Sequence, residues 1–153
     1  EQYKVLVEEY IKRKSRGNSF NFFHFNIDLK KGPCTPKRIT GCGAGYQYLA
    51  VTPEGEFYPC HQFVGNPEYC LGDVDKGLVN DRIIESFINC HIFNKVCKIC
   101  WARFHCSGGC HASAFNNNKS IEKPYEMGCY LQKVRIEAAI YLAVLEELDK
   151  AES

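Results

Sequence analysis

The run Cys97-x2-Cys100-x5-Cys106-x3-Cys110, followed at a distance by Cys129, constrains this chain more than any other part of it. Two residues between cysteines let both sulfurs turn toward one atom or cluster. The wider gaps leave room for a short helix or loop to bring the next thiolate round. A bound thiolate is deprotonated and charged, so such a centre contributes folding energy as well as chemistry. Ten cysteines in 153 residues can also serve disulfides, but those frameworks belong mostly to secreted chains shorter than about 100 residues. This chain is longer, opens on no segment that reads as a signal peptide, and clusters its cysteines in close pairs. Metal or cluster ligation in the reducing cytoplasm is therefore the expectation.

The length suits one compact domain with a real core. A net charge of +1 and the lack of a basic run argue against nucleic acid and anionic membranes as partners. No stretch approaches the roughly 20 apolar residues of a membrane span, and no lipidation motif is present. Aromatic residues make up 13% of the chain, which suits a core that keeps water from a reactive centre. The opening Glu1-Gln2-Tyr3, without methionine, reads as a piece of a longer protein.

Tyr3, Leu6, Val7, Tyr10 and Ile11 fall on one face of a helix over Tyr3 to Lys14, ended by Gly17-Asn18-Ser19. The aromatic stretch Phe20 to Leu29 suits a strand or a buried linker, and Lys30-Lys31-Gly32-Pro33 breaks regular structure. Tyr46 to Val51 and Glu56 to Tyr58 read as strands of a β-hairpin, with Thr52-Pro53-Glu54-Gly55 as its turn. That hairpin folds Cys60 back toward Cys42. Gly65-Asn66-Pro67 and Gly72-Asp73 mark a loop region. Ile83, Ile84, Phe87 and Ile88 predict a helix from about Asn80 to Cys90. Ser107-Gly108-Gly109 allows close backbone approach inside the cysteine run, and Asn116 to Lys119 reads as a turn. A last helix, with Pro124 in its first turn, runs to about Lys150 and buries Leu131, Val134, Ala138, Tyr141, Leu142, Leu145 and Leu148. The fold class is α+β: a small cysteine-rich domain with a hairpin, short helices and a long C-terminal helix.

Written out, the thiols run Cys42-x12-Gly55-x4-Cys60, a long gap, the Cys97 to Cys110 run, a gap, and Cys129. Seven cysteines with this glycine resemble the SPASM domain, a C-terminal extension of many radical SAM peptide-modifying enzymes, over about Cys34 to Tyr130. The segments Cys42-Gly43-Ala44-Gly45, Tyr48 to Gly55, Tyr58 to Gly65, and Cys106 to Ala112 are similar to the maturases of six-cysteines-in-forty-five-residues peptides. The resemblance implies thioether formation in a ribosomally made precursor peptide. It also implies two auxiliary [4Fe–4S] clusters: Cys42, Cys60 and Cys110 on the first, and Cys97, Cys100, Cys106 and Cys129 on the second. A cysteine crossing to the neighbouring cluster has a parallel in two-cluster ferredoxins. Cys34 is the candidate fourth ligand of the first cluster. Otherwise one iron stays open and can bind a substrate thiolate, lowering its pKa.

On that resemblance, residues 1–33 are an N-terminal helix and linker from a preceding radical SAM domain, 34–130 the auxiliary-cluster domain and 131–153 a C-terminal helix. The radical SAM domain would carry S-adenosylmethionine and a third [4Fe–4S] cluster on a CxxxCxxC motif. Cys106 and Cys110 have the first spacing of that motif, but Ser113 stands where its third cysteine belongs, so this chain alone is expected not to cleave S-adenosylmethionine. Its expected task is electron relay and hold on the substrate thiolate; its partners are the radical SAM domain of the same polypeptide and the precursor peptide. Zinc is the rival occupant, since four thiolates also make a tetrahedral zinc site. A non-catalytic zinc module binding a protein or peptide is the alternative function. The short x5 and x3 spacings favour clusters. Cys70 and Cys90 read as packing residues. His61 and His111 read as structural before sulfur-donating, while His24, His91 and His105 carry no signal. Trp101 and Phe104 are expected to wall the second cluster from water. Lys37, Arg38 and Arg103 are expected to be solvated charges.

Overall fold

The computed structural model describes residues 2–29 and 34–151; the expected break at Lys30 to Pro33 lies outside the described residues. The chain divides into two compact units, Glu1–Pro33 with Met127–Ser153, and Cys34–Glu126.

In the first unit, helix α1 (Gln2–Ser15) and the long helix α6 (Glu126–Ala151) are joined by a core that includes a 3-10 turn, Phe23–Phe25. Val7, Phe25, Ala138 and Leu142 are buried there, with Tyr3, Leu6, Tyr10, Ile11 and Phe22 against them. The i, i+3, i+4, i+7 spacing of the α1 residues produces this, because those positions share one helix face. Phe20 to Leu29 forms no strand. Its rings instead pack edge-on around α1, with Tyr10 at 5.3 Å from Phe20 and 5.5 Å from Phe25. The Tyr3 hydroxyl joins the ends of this layer. It lies 2.7 Å from His24 Nδ1 and accepts from Arg135 Nε at 2.9 Å.

The buried line of α6 differs from the expected stripe. Ile136, Ala138, Ala139 and Leu142 are buried, whereas Tyr141 is 53% and Leu148 54% exposed. Apolar residues cover more than one side of this helix, so two stripes fit the 3.6-residue period. The small Ala138 and Ala139 mark the side on which a neighbour comes close.

The second unit is built on a four-stranded antiparallel sheet in the order β1 (Ala50–Val51), β2 (Glu56–Tyr58), β3 (Gly72–Asp73) and β4 (Gly77–Leu78). The expected hairpin is present, pairing Ala50 with Tyr58 and Val51 with Phe57. Its turn closes with Gly55 N–H on Thr52 C=O at 2.9 Å. Pro53 and Gly55 occupy the second and fourth turn positions, as that geometry favours. Gly55 is doubly required: its φ is +89°, and a Cβ there would lie 2.7 Å from Val74 Cγ2. Gly72-Asp73, read from the sequence as loop, instead extends the sheet by pairing with Phe57 and Glu56. A two-residue strand has no alternation to read, so nothing in the pattern signals it. Asp73 then accepts the N–H groups of Asp75 and Lys76 and turns the chain into β4.

Helix α2 (Thr35–Thr40) precedes the sheet and α3 (Asp81–Asn89) follows it, slightly inside its expected bounds. The core gathers Ala44, Tyr58, Cys60, Phe63, Phe87, Cys90, Ala112 and Ile121. Phe87 is 1% exposed and meets Phe63 edge-on at 5.5 Å. Helix α4 (Arg103–Cys106) lies within the cysteine run, and α5 (His111–Asn118) follows it. The asparagines expected in a turn therefore finish a helix, and Lys119 caps it with a φ of +55°. Their side chains explain the difference: Asn117 donates to Ser113 C=O at 2.8 Å, and Asn118 to the carbonyls of Lys123 and Pro124 at 3.0 Å. No helix among the described residues is long and apolar enough to cross a membrane.

Candidate metal centre

Three cysteines from distant parts of the sequence come into one neighbourhood of the second unit. Cys60 follows β2 directly. Cys42 lies in the loop before β1, between Gly41 and Gly43, whose φ values are +77° and +75°. The Gly45 N–H is shared between the carbonyls of Tyr48 at 3.2 Å and Pro59 at 3.0 Å, which ties the Cys42 loop to the residue before Cys60. Cys110 caps α5, its sulfur accepting Ser113 N–H at 3.5 Å. The chain reaches it through Ser107, Gly108 and Gly109, all at positive φ of 62°, 81° and 78°. Two glycines keep that left-handed run affordable.

The electrostatics report the convergence. Burial pushes the Cys60 thiol up, and Cys110 and Cys42 push it the same way, against backbone N–H groups of Gln62 and Phe63 that favour the thiolate. The Tyr48 phenol is pushed up to about 12, first by partial burial, then by Cys42, Cys60 and Cys110 beside it. Among the described residues, no three His, Cys, Asp or Glu side chains stand close enough to hold a single metal ion.

Cys34 has a different place. It is the exposed N-cap of α2, while Cys42 comes just past the other end of that helix. The six residues of α2 span a rise of about 9 Å. His111 is 3% exposed, with Nε2 at 3.2 Å from Cys90 C=O and Nδ1 at 4.0 Å from Cys42 Sγ. The carbonyl requires a proton on Nε2, which leaves Nδ1 to accept from the Cys42 thiol. Burial drives its pKa down to about 4. His61 is exposed. Cys90 is buried and donates to Ile121 C=O at 3.1 Å, and Cys70 is half-buried beside Gly72 C=O.

The run from Cys97 is built from local turns. A 3-10 turn, Val96–Ile99, closes with Cys100 N–H on Cys97 C=O at 2.9 Å. Cys106 ends α4 with its N–H on Ala102 C=O at 2.9 Å. Cys97 is buried, and Cys100 and Cys106 are half-buried. Cys129, the remaining member of the expected set, lies in the first turn of α6, in the other unit.

Two arginines expected in solvent instead hold this run. Arg38 Nη1 donates to His105 C=O at 3.3 Å and Arg103 Nη1 to Cys100 C=O at 3.2 Å. The Arg103 guanidinium also lies 4.7 Å over the Phe104 ring, and its Nε is buried without a partner. Lys37 is exposed as expected. Trp101 is 51% exposed, whereas Phe104 is half-buried. Sequence reasoning missed Tyr48 and Lys95. Lys95 is only 6% exposed, and lysine so close to a ligand-type motif reads by default as solvated.

The donor set suits an iron–sulfur cluster: it is all thiol, with backbone N–H groups directed at the sulfurs of Cys60 and Cys110. Residues 42–101 match SPASM, an iron–sulfur cluster-binding domain. The match ends before Cys106, Cys110 and Cys129. Over 103 residues the chain is 31% identical to the antilisterial bacteriocin subtilosin biosynthesis protein AlbA of Bacillus subtilis (strain 168), which covers 60% of this chain and 21% of that protein. The chain thus spans about one fifth of that relative's length.

Proposed function

We propose that this chain is the auxiliary-cluster region of a radical SAM enzyme that forms thioether crosslinks in a ribosomally made peptide in the cytoplasm. The convergence of Cys42, Cys60 and Cys110 around Tyr48, inside the segment that matches an iron–sulfur cluster-binding domain, carries the reading. Similarity to a bacteriocin biosynthesis protein supports a peptide as the substrate. In this reading Cys42, Cys60 and Cys110 hold the first [4Fe–4S] cluster, and Cys97, Cys100, Cys106 and Cys129 the second. Bound clusters supply one-electron chemistry for the electron left after bond formation.

The chain's own residues orient and insulate. The glycines around Cys42 and before Cys110 let backbone approach closely. Gln62, Phe63 and Ser113 N–H groups stabilise thiolate charge. The position of Cys34 across α2 supports an iron without a fourth protein thiolate, on the exposed side where Cys42 and Cys110 lie. That is the place for a substrate thiolate. Cys34→Ala should then leave the iron count and spectrum unchanged; loss of the first cluster would make Cys34 its ligand.

The direct test of the whole reading is anaerobic purification with iron, sulfide and zinc analysis. About eight irons with matching sulfide and broad brown absorbance are expected. A colourless protein holding zinc would overturn it in favour of a zinc-binding interaction module.

A further inference from the structure

Lys95 is a buried lysine that no carboxylate pairs among the described residues. The residue is 6% exposed and caps the 3-10 turn that carries Cys97. Its Nζ lies 3.7 Å from the point a Cβ on Gly108 would occupy, so it stands beside the backbone between Cys106 and Cys110. Ile92, fully buried, closes the same spot. The polar groups beside Lys95 include Cys90 and His111. Neither supplies negative charge: the Cys90 thiol donates its proton to Ile121 C=O, and an imidazole is not an anion. Glu122 acts on Cys90 from an exposed position, and the ion pairs of the described residues do not include Lys95.

An isolated ammonium in such surroundings is costly unless something anionic is meant to face it. Thiolate-ligated clusters are anionic, and their net charge and hydrogen bonds set their potentials. We infer that Lys95 is the built-in counter-charge of the proposed clusters, placed where the Cys97 to Cys106 run passes into Cys110, and that it raises the reduction potential of at least one of them. The inference rests on the cluster reading above. Reduction adds one electron, and with it one negative charge, to a cluster. No bond is made or broken, and a nearby positive charge favours the more negative state.

The test compares wild type, Lys95→Met and Lys95→Arg after anaerobic reconstitution, by dithionite titration followed by electron paramagnetic resonance. Iron and sulfide should be equal in all three. Lys95→Met should disfavour reduction of one cluster at least tenfold, a midpoint lower by about 59 mV for one electron, and Lys95→Arg should restore most of it. Wild-type midpoints in a fully loaded Lys95→Met would overturn the inference while leaving the cluster reading intact. A wild type that takes up no iron–sulfur would overturn both. A second measurement covers a variant that loads poorly. With no cluster bound, Lys95→Met should melt no lower than wild type, because it removes an unbalanced charge. A lower melting temperature would make Lys95 a structural residue and end the inference.

Discussion

The two groups of thiols in this chain are assembled by different means. Cys42, Cys60 and Cys110 are brought together by a hairpin, two left-handed glycine turns and the N-terminus of α5, all resting on one buried core. Cys97, Cys100 and Cys106 are neighbours in sequence, and a 3-10 turn and the short helix α4 set their spacing. The first group therefore depends on the fold, and the fold on it, whereas the second is a strip of backbone held at its Cys100 and His105 carbonyls by Arg103 and Arg38. Close spacing makes a ligand run easy to recognise, but it is the dispersed group that the protein interior prepares.

Substituting one cysteine from each group breaks this comparison most directly. Cys60→Ala and Cys100→Ala should each remove about half of the iron and sulfide, measured against protein after anaerobic loading. Before loading, only Cys60→Ala should lower the melting temperature, because Cys60 is buried in the core and Cys100 lies at the end of a turn. Loss of all iron in both variants would mean that the two groups do not load independently.

Phe87→Ala sharpens the same contrast without touching a thiol. The ring lies 5.5 Å from Phe63 and 5.3 Å from His111, and 3.1 Å separates it from the position of a Cβ on Gly45. It thus supports both the loop of Cys42 and the helix of Cys110. Removing a ring so fully buried should cost about 3–5 kcal/mol, read by denaturant unfolding of the unloaded protein. After loading, the loss of iron should fall on the Cys42 group first, seen as a partial rather than total loss of absorbance.

The same division explains what the sequence makes legible. The hairpin is readable because Pro53 and Gly55 have turn geometry and Cys60 follows its second strand. The helices α1, α3 and α6 are readable from apolar spacing, although α6 allowed two stripes and only the alanines choose between them. Strands β3 and β4 are invisible, since pairing through Gly72 depends on a close backbone approach rather than on side chains; a Cβ there would lie 1.9 Å from Gly77 C=O. The asparagines of α5 oppose helix propensity and are rescued by hydrogen bonds to Ser113, Lys123 and Pro124. At the candidate centre, spacing identifies the cysteines. It does not reveal Lys95, Arg38 or Arg103, because the burial of a long cationic side chain is decided by what packs around it.

Cys90 offers the smallest effect, and it probes a core thiol outside the proposed ligand sets. It sits in the core of the dispersed group, 3% exposed, donating to Ile121 C=O. Burial pushes its pKa up, while the Lys95 ammonium beside it pulls the other way and leaves the net shift upward. An unfolded chain releases the thiol proton near pH 8.5, before the folded one does. Above that pH the folded state therefore binds more protons than the unfolded state, and stability declines as pH rises toward the folded value. Below it the contribution is complete. Unloaded wild type should show this decline in melting temperature between about pH 8 and 10, and Cys90→Ala should show a shallower one despite its lower starting stability. Equal slopes would mean that Cys90 ionises as easily in the core as in water, and that its burial does not hold its proton.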